Sequence, residues 1–361
     1  MLLKLVRLTI GQALKNIFHM TIFEKTKMYN TLCVEVSKGD AVIALLFPGQ
    51  GSQYVGMGKA LAQHFPVIRD RFQEADEFFS CTGQSLVKII EQGPLELLME
   101  TRWAQPALFT LSCGLFDVVY QHCFSSNFSV GWVAGHSLGE YSALYAAGCF
   151  SFREGLAHIQ ARCQAMSEIT DGTMAAILKL SVAQVHHLIQ DYGHEEVELA
   201  NDNCPGQVVI SGKREGVHRI LTYAQSQGAR CIPLNVSGPF HSSFMSSAGK
   251  KFEAYLKSVK FSDPVIPVLT NTTASPQLDS NYIKAQLIPH LTHPVRWRET
   301  LQTLYALGSR CYLEIGPGSV LTGLLKKTVD SVYSISLGDL ASLENWMQSF
   351  LTPSIKAMQN L

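Results

Sequence analysis

No stretch of about 18 residues runs apolar without interruption by charge, which excludes a helical membrane span. Charge itself is scarce: 16% of the 361 residues are Asp, Glu, Lys or Arg, and 29 basic side chains balance 29 acidic ones. Zero net charge argues against a nucleic-acid binder, which normally shows a basic stripe as its electrostatic footprint, so no nucleic-acid partner is expected. None of the nine cysteines stands in a C-x-x-C pair. Their odd number and scatter read as free thiols in a reducing compartment, not as a disulfide framework or a zinc site. Internal repeats and low-complexity segments are missing too. What remains, at 47% hydrophobic residues, is enough apolar material for a sizeable core or two linked subdomains.

Acidic residues are missing from Met1 to Met20, where Lys4, Arg7 and Lys15 share one helical face and Leu3, Val6, Ile10, Leu14 and Ile17 the other. Residues 1–39 therefore read as a basic amphipathic N-terminal extension, and the packed part is expected to begin near Asp40. Such an extension is a leader ahead of the domain, a presequence, or a docking element. A cytoplasmic location is expected, with an organelle matrix as the alternative if the extension is a presequence.

Ala41–Phe47 is an apolar run stopped by Pro48-Gly49, and Ser129–Ala134 is a second run ending in Gly135-His-Ser-Leu-Gly139. A helical pattern over Glu140–Ala147 follows. Strand, sharp glycine turn and helix define an α/β sheet with its chemistry in loops at the strand ends. The middle changes rhythm. Strands are read at Met174–Leu180, Val197–Ala200, Gln207–Ser211 and Arg230–Leu234, with helices at Val182–Asp191 and Glu215–Gln227. This β-α-β-β-α-β order is ferredoxin-like. Beyond it, Val265–Leu269 and Cys311–Ile315 read as strands, Arg298–Ala306 as a helix, and the chain after Gly316-Pro-Gly318 as helical. The expected fold is α/β: a hydrolase-like large subdomain with a parallel sheet (40–171 and 236–335), an inserted ferredoxin-like small subdomain (172–235), and a C-terminal helical segment (336–361).

Gly135-His136-Ser137-Leu138-Gly139 has the G-x-S-x-G form of a nucleophile elbow, in which glycines on both sides let the serine hydroxyl stand clear of the sheet. The alternative is a serine that merely caps a helix. A serine is a weak nucleophile and needs a base. Of the twelve histidines, His241 follows a strand through a Gly-Pro loop, a place for a side chain held in a cleft or for a surface residue. His136 adjoins the serine and is expected to point away from it. His290 and His293 lie three apart, but without a carboxylate or second histidine pair no metal site is expected.

The chain resembles the malonyl-CoA:acyl carrier protein transacylase family, including the freestanding acyltransferases that serve polyketide synthases without built-in loading domains. The resemblance covers about residues 41–330. It rests on Phe47-Pro-Gly-Gln-Gly-Ser-Gln53, Thr101–Ala107 with Gln105-Pro106, Gly135-His-Ser-Leu-Gly-Glu-Tyr-Ser142 and Arg162–Met166. To these are added Gly172-Thr-Met-Ala-Ala176, Gly238-Pro-Phe-His241, Pro294-Val-Arg-Trp297 and Glu314-Ile-Gly-Pro-Gly318, all in order.

The resemblance implies a ping-pong transfer of malonyl from CoA, through an ester on Ser137, to the phosphopantetheine thiol of an acyl carrier protein, in fatty-acid or polyketide synthesis. His241 is implied as the base, oriented by a backbone carbonyl rather than a carboxylate. The N–H groups of Gln50 and Leu138 are implied as the oxyanion hole, and Arg162, Phe240 and Gln105 as substrate-binding residues. Arg162 would select a free carboxylate, and the bulk of Phe240 would favour malonyl over methylmalonyl. No cofactor of its own is implied: CoA arrives as the substrate thioester and the pantetheine arm on the partner. A monomer is expected. Two departures stand out, His290 where housekeeping members commonly carry an amide, and Arg162-Cys163 for the usual Arg-Gly. Other readings of these residues are a hydrolase of the same fold, clearing stalled acyl groups, and a non-catalytic carrier-docking module.

Overall fold

Val42–Phe47 is apolar at all positions, as a strand covered on both faces must be. The computed structural model describes residues 42–124 and 130–349, so the basic extension and residues 350–361 lie outside the described residues. The strands are β1 Val42–Phe47, β2 Val130–Gly135, β3 Thr173–Leu178, β4 Val197–Cys204, β5 Gln207–Gly212, β6 Arg230–Pro233, β7 Val268–Leu269, β8 Pro276–Gln277, β9 Ser309–Glu314 and β10 Tyr333–Ser336. Six of them form one sheet in the order β10-β9-β1-β2-β7-β8, parallel throughout except for the β7–β8 pair.

Alternation along β1 divides the core. Ile43, Leu45 and Phe47 join the helices Thr101–Phe124, Gly139–Ala146 and Phe152–Ser167, while Ala44 and Leu46 join Leu301, Leu304, Leu321 and Leu325 on the opposite side. The register pairs Phe47 with Gly135, so β1 and β2 end side by side. The loops that follow, Pro48–Gln50 and His136–Leu138, therefore emerge together at the carboxyl edge of the sheet, where open α/β sheets place their sites. The buried carboxylate of Glu314, at the end of β9, accepts from the Leu321 and Thr322 N–H groups at 2.9 and 2.8 Å, which caps the helix Val320–Thr328. The Glu314-Ile-Gly-Pro-Gly318 motif is thus a structural turn.

The second sheet is antiparallel, in the order β4-β5-β3-β6. Its core is formed by Ile177, Val208 and Ile210 against Val185 and Leu188 of the helix Val182–Tyr192 and Val217 and Ile220 of the helix Arg214–Ser226. This is the ferredoxin-like arrangement. Val295 joins the two parts by donating its N–H to Ala200 and accepting from Asp202.

Two elements differ from the sequence reading. The apolar run Val265–Leu269 pairs as a strand only over Val268–Leu269, because Pro264 and Pro267 carry no N–H for a ladder and Val265 donates to Ala147 instead. The segment after Gly318 is not wholly helical. Tyr333–Ser336 forms the edge strand β10 before the helix Leu340–Ser349. No helix among the described residues is long and apolar enough to cross a membrane.

Candidate active site

Gly135 and Gly139 have no room for a side chain. A Cβ on Gly135 would lie 1.9 Å from the Gly139 carbonyl, and one on Gly139 would lie 2.0 Å from the Phe47 carbonyl oxygen. The turn between them is so tight that Ser137 holds φ of 50°, in the left-handed region that a non-glycine residue rarely adopts. His241 does the same, with φ of 60°. The two strained residues meet: Ser137 Oγ lies 2.8 Å from His241 Nε2.

The other ring nitrogen fixes the tautomer. His241 Nδ1 lies 2.9 Å from the backbone oxygen of His290, which can only accept, so Nδ1 carries the proton and Nε2 presents a lone pair to the serine hydroxyl. Burial, then the nearby Arg162 cation, push the His241 imidazole down to about 3, so it is neutral at physiological pH. The side chain of His290 is also buried, with Nδ1 3.8 Å from Glu140 Oε2. Burial moves these two in opposite senses, the imidazole well below its ordinary value and the carboxyl up to about 8.

Arg162 lies on the helix Phe152–Ser167, whose first turn is fixed by a capping box between Ser151 and Glu154. Its guanidinium is fully buried. One terminal nitrogen donates to Gln105 Oε1 at 2.6 Å, the other to Ser137 Oγ at 3.2 Å, and Nε has no partner among the described residues. A buried cation facing a neutral serine and an amide, with no carboxylate bound to it among the described residues, leaves a place for an anion. The Cys163 thiol donates to the Thr101 carbonyl at 3.3 Å, tying this helix to the start of Thr101–Phe124, which carries Gln105.

The remaining residues named from sequence fall around this cluster. The Pro48–Gln50 loop lies against the elbow, for a Cβ on Gly49 would be 2.4 Å from the His136 carbonyl oxygen, and His136 N–H donates to Phe47 at 2.9 Å. The backbone N–H groups of Gln50 and Leu138 donate to nothing among the described residues. Phe240 is buried beside His241, with its ring edge over Gly238 and outside the hydrogen-bonded cluster. His136 points away from Ser137, to Asn203 Oδ1 at 2.8 Å. His293 is partnered with Thr292 Oγ1 at 2.9 Å and does not join the cluster, unlike His290. Sequence reasoning missed Asn271, whose Oδ1 accepts the Ser137 N–H at 2.7 Å. The only signal for it is a lone amide in Thr270-Asn-Thr-Thr-Ala274, 134 residues from its partner.

Acid is expected to loosen this interior. The imidazoles of His136, His158, His241 and His290 all lie below the ordinary value because burial disfavours their charged forms, His158 at about 4. Below about pH 6.5 these four imidazoles bind more protons in the unfolded chain, so their contribution is complete above that pH and is lost as pH falls; the two carboxyls that burial raises, Glu140 and Glu314, act in the opposite sense but are fewer. A thermal-unfolding series from about pH 7 to about pH 4 should show a steadily falling midpoint; a midpoint independent of pH would contradict the assignment.

A serine at an elbow, a neutral imidazole on its hydroxyl, two unused N–H groups in the adjoining loops and a buried cation are the groups that acyl transfer calls for. Residues 44–351 match the family model described as acyl transferase domain. The chain is 42% identical over 302 residues to a malonyl CoA-acyl carrier protein transacylase of Synechocystis sp., covering 84% of this chain and 99% of that protein. A polyketide biosynthesis malonyl CoA-acyl carrier protein transacylase of Bacillus velezensis is 40% identical over 290 residues, 79% of this chain and 96% of that protein. Among solved structures, a complex of a holo type II polyketide synthase acyl-carrier protein with its malonyl-transacylase matches with a TM-score of 0.81 at 35% identity, over 86% of this chain and 100% of that one. The chain belongs to the malonyl-CoA:acyl carrier protein transacylase family, a family of acyltransferases.

Proposed function

We propose that this protein moves a malonyl group from CoA to the phosphopantetheine thiol of an acyl carrier protein, through an ester on Ser137, serving fatty-acid or polyketide synthesis. The observation that carries the reading is the buried Arg162 guanidinium 3.2 Å from the same Ser137 hydroxyl that lies 2.8 Å from His241 Nε2. A cation so close to a nucleophile holds a substrate by a carboxylate at one end and offers its other end for attack.

In the first half-reaction Ser137 Oγ attacks the thioester carbonyl carbon as its proton passes to His241 Nε2. The oxyanion takes the unused N–H groups of Gln50 and Leu138, each donor contributing about 3–4 kcal/mol. The C–S bond breaks, and the sulfur leaves with the proton held by His241. Burial disfavours the charged imidazolium, so His241 once protonated returns its proton readily to a departing thiolate. In the second half-reaction the carrier thiol gives its proton to His241 and its sulfur attacks the ester carbonyl; the C–O bond to Ser137 breaks, and Oγ takes the proton back from His241. Gln105 holds the Arg162 fork in place. Phe240 disfavours a branched acyl group, to the extent of about 1–3 kcal/mol for one methyl.

Carbonyl orientation of His241 by His290 supports a base that needs no acidic partner. The reading uses no bound cofactor and no nucleic acid, and takes a cytoplasmic monomer as the working unit. Intact-mass measurement after incubation with malonyl-, methylmalonyl- or acetyl-CoA, with and without a carrier protein, tests it. Stable malonyl adduct that vanishes when the carrier is added is expected. Rapid hydrolysis of acetyl-carrier with no malonyl transfer would assign the site to a hydrolase instead.

A further inference from the structure

Asn271 is buried, at 1% exposure, and each of its four polar groups has a partner on a different piece of the site. Its side-chain Oδ1 accepts the Ser137 N–H at 2.7 Å, and its Nδ2 donates to the Gly135 carbonyl at 2.6 Å. Its backbone N–H donates to Glu140 Oε2 at 3.0 Å, and its carbonyl accepts from Arg296 N–H at 3.0 Å. The same Glu140 oxygen lies 3.8 Å from the ring of His290, the residue whose carbonyl orients His241.

The reason for the side-chain pair lies in the sheet. Strands β2 and β7 pair in parallel up to Ala134 and Leu269, and there the ladder stops, because the chain after β2 must turn into the elbow. The Gly135 carbonyl is left buried and the Ser137 N–H half-buried, and both need partners. The Asn271 amide carries one acceptor and one donor at the spacing of a peptide group, and it continues the ladder by one rung where the backbone cannot.

We propose that Asn271 is a positioning residue for acyl transfer: its side-chain amide clamps Gly135 and Ser137 and so holds the nucleophile in its left-handed conformation, with the hydroxyl aimed at His241. This rests on Ser137 being the nucleophile. Ser137 at φ of 50° is disfavoured by its own backbone and is held there by its surroundings. Without the clamp the turn relaxes toward ordinary backbone angles, the hydroxyl leaves the His241 lone pair, and the Leu138 N–H turns with it. A displacement of about 1 Å at a reacting atom costs about 100-fold in rate.

Asn271→Asp separates a clamp from a simple packing role. The ionised carboxylate keeps an acceptor for Ser137 N–H but sets an oxygen against the Gly135 oxygen, whereas the protonated form regains an O–H donor for that carbonyl. The Gly135 carbonyl faces this position and favours the protonated form, joined by the Glu140 carboxyl as it ionises toward the top of the range; Arg162, which reaches the Ser137 hydroxyl, opposes it, and His241 and His290 are neutral. The measurement is the rate of acyl-Ser137 formation from malonyl-CoA, for the parent, Asn271→Asp and Asn271→Ala, from about pH 6 to about pH 8.5, with thermal midpoints alongside. The expected result is that Asn271→Ala loses about 100-fold in rate at all pH values, with little change in KM. For Asn271→Asp, activity relative to the parent should fall about tenfold or more as pH rises across the range. A relative activity for Asn271→Asp that is flat with pH, or loss of folded protein in both variants, would assign Asn271 to the fold alone and overturn the proposal. If the parent itself forms no acyl-enzyme, it is the transferase reading that fails.

Discussion

Replacing Ser137 with alanine is expected to lower malonyl transfer by about 10⁴- to 10⁶-fold and to abolish the covalent malonyl adduct. Losses of that size follow when the nucleophile of a coupled serine–histidine pair is removed, because the base then has nothing to activate. The hydroxyl is the meeting point of the site, within hydrogen-bond reach of both His241 Nε2 and Arg162. The fold should tolerate the change, since the elbow is held by the Ser137 backbone N–H to Asn271 and by the packing of Gly135 on Gly139, neither of which needs the hydroxyl. Intact-mass measurement checks both points: a folded variant that still gains a malonyl increment would break the mechanism.

Replacing Arg162 with alanine is expected to divide the substrates. A malonyl carboxylate facing a neutral cavity loses a buried, charge-assisted pair, which costs about 3–5 kcal/mol, or about two to four orders of magnitude in kcat/KM. Acetyl-CoA has no carboxylate to lose and should keep its rate or gain. The gain has a physical cause. Arg162 is one of the groups that depress the His241 imidazole, so its removal makes the base stronger. In the proposed complex, a malonyl carboxylate bound at Arg162 would offset the same cation, so the substrate would raise the basicity of the group proposed to accept the serine proton. Paired kinetics with malonyl- and acetyl-CoA test this. Equal losses on both would show that Arg162 supports the helix packing and does not select the acyl end.

Much of the scaffold was legible because its strands are buried in ways that leave simple patterns. β1 reads as an unbroken apolar run because helices cover both of its faces, and the β-α-β-β-α-β rhythm of residues 173–233 reads cleanly because each element is short and bounded by turn residues. β10 was not legible. Tyr333–Ser336 is a four-residue edge strand with serine at alternate positions, and its place is set by pairing with β9, not by its own hydrophobicity. The elbow was legible because steric crowding admits only glycine at positions 135 and 139. The link from Ser137 to His241 was legible only through the family resemblance, for nothing local in a Gly-Pro loop says which cleft its histidine enters, and 104 residues separate the pair. Asn271 shows the limit most plainly. Its importance lies wholly in partners distant along the chain, and an asparagine between threonines carries no trace of them.

The central claim is that one hydroxyl carries the acyl group between two thiols. Brief exposure of the protein to malonyl-CoA, followed by proteolysis and peptide mass mapping, tests it most directly. The account predicts a malonyl ester on the peptide that contains Ser137, formed without carrier protein and discharged when the carrier is added. Turnover to carrier protein with that peptide unmodified at every time point would contradict it.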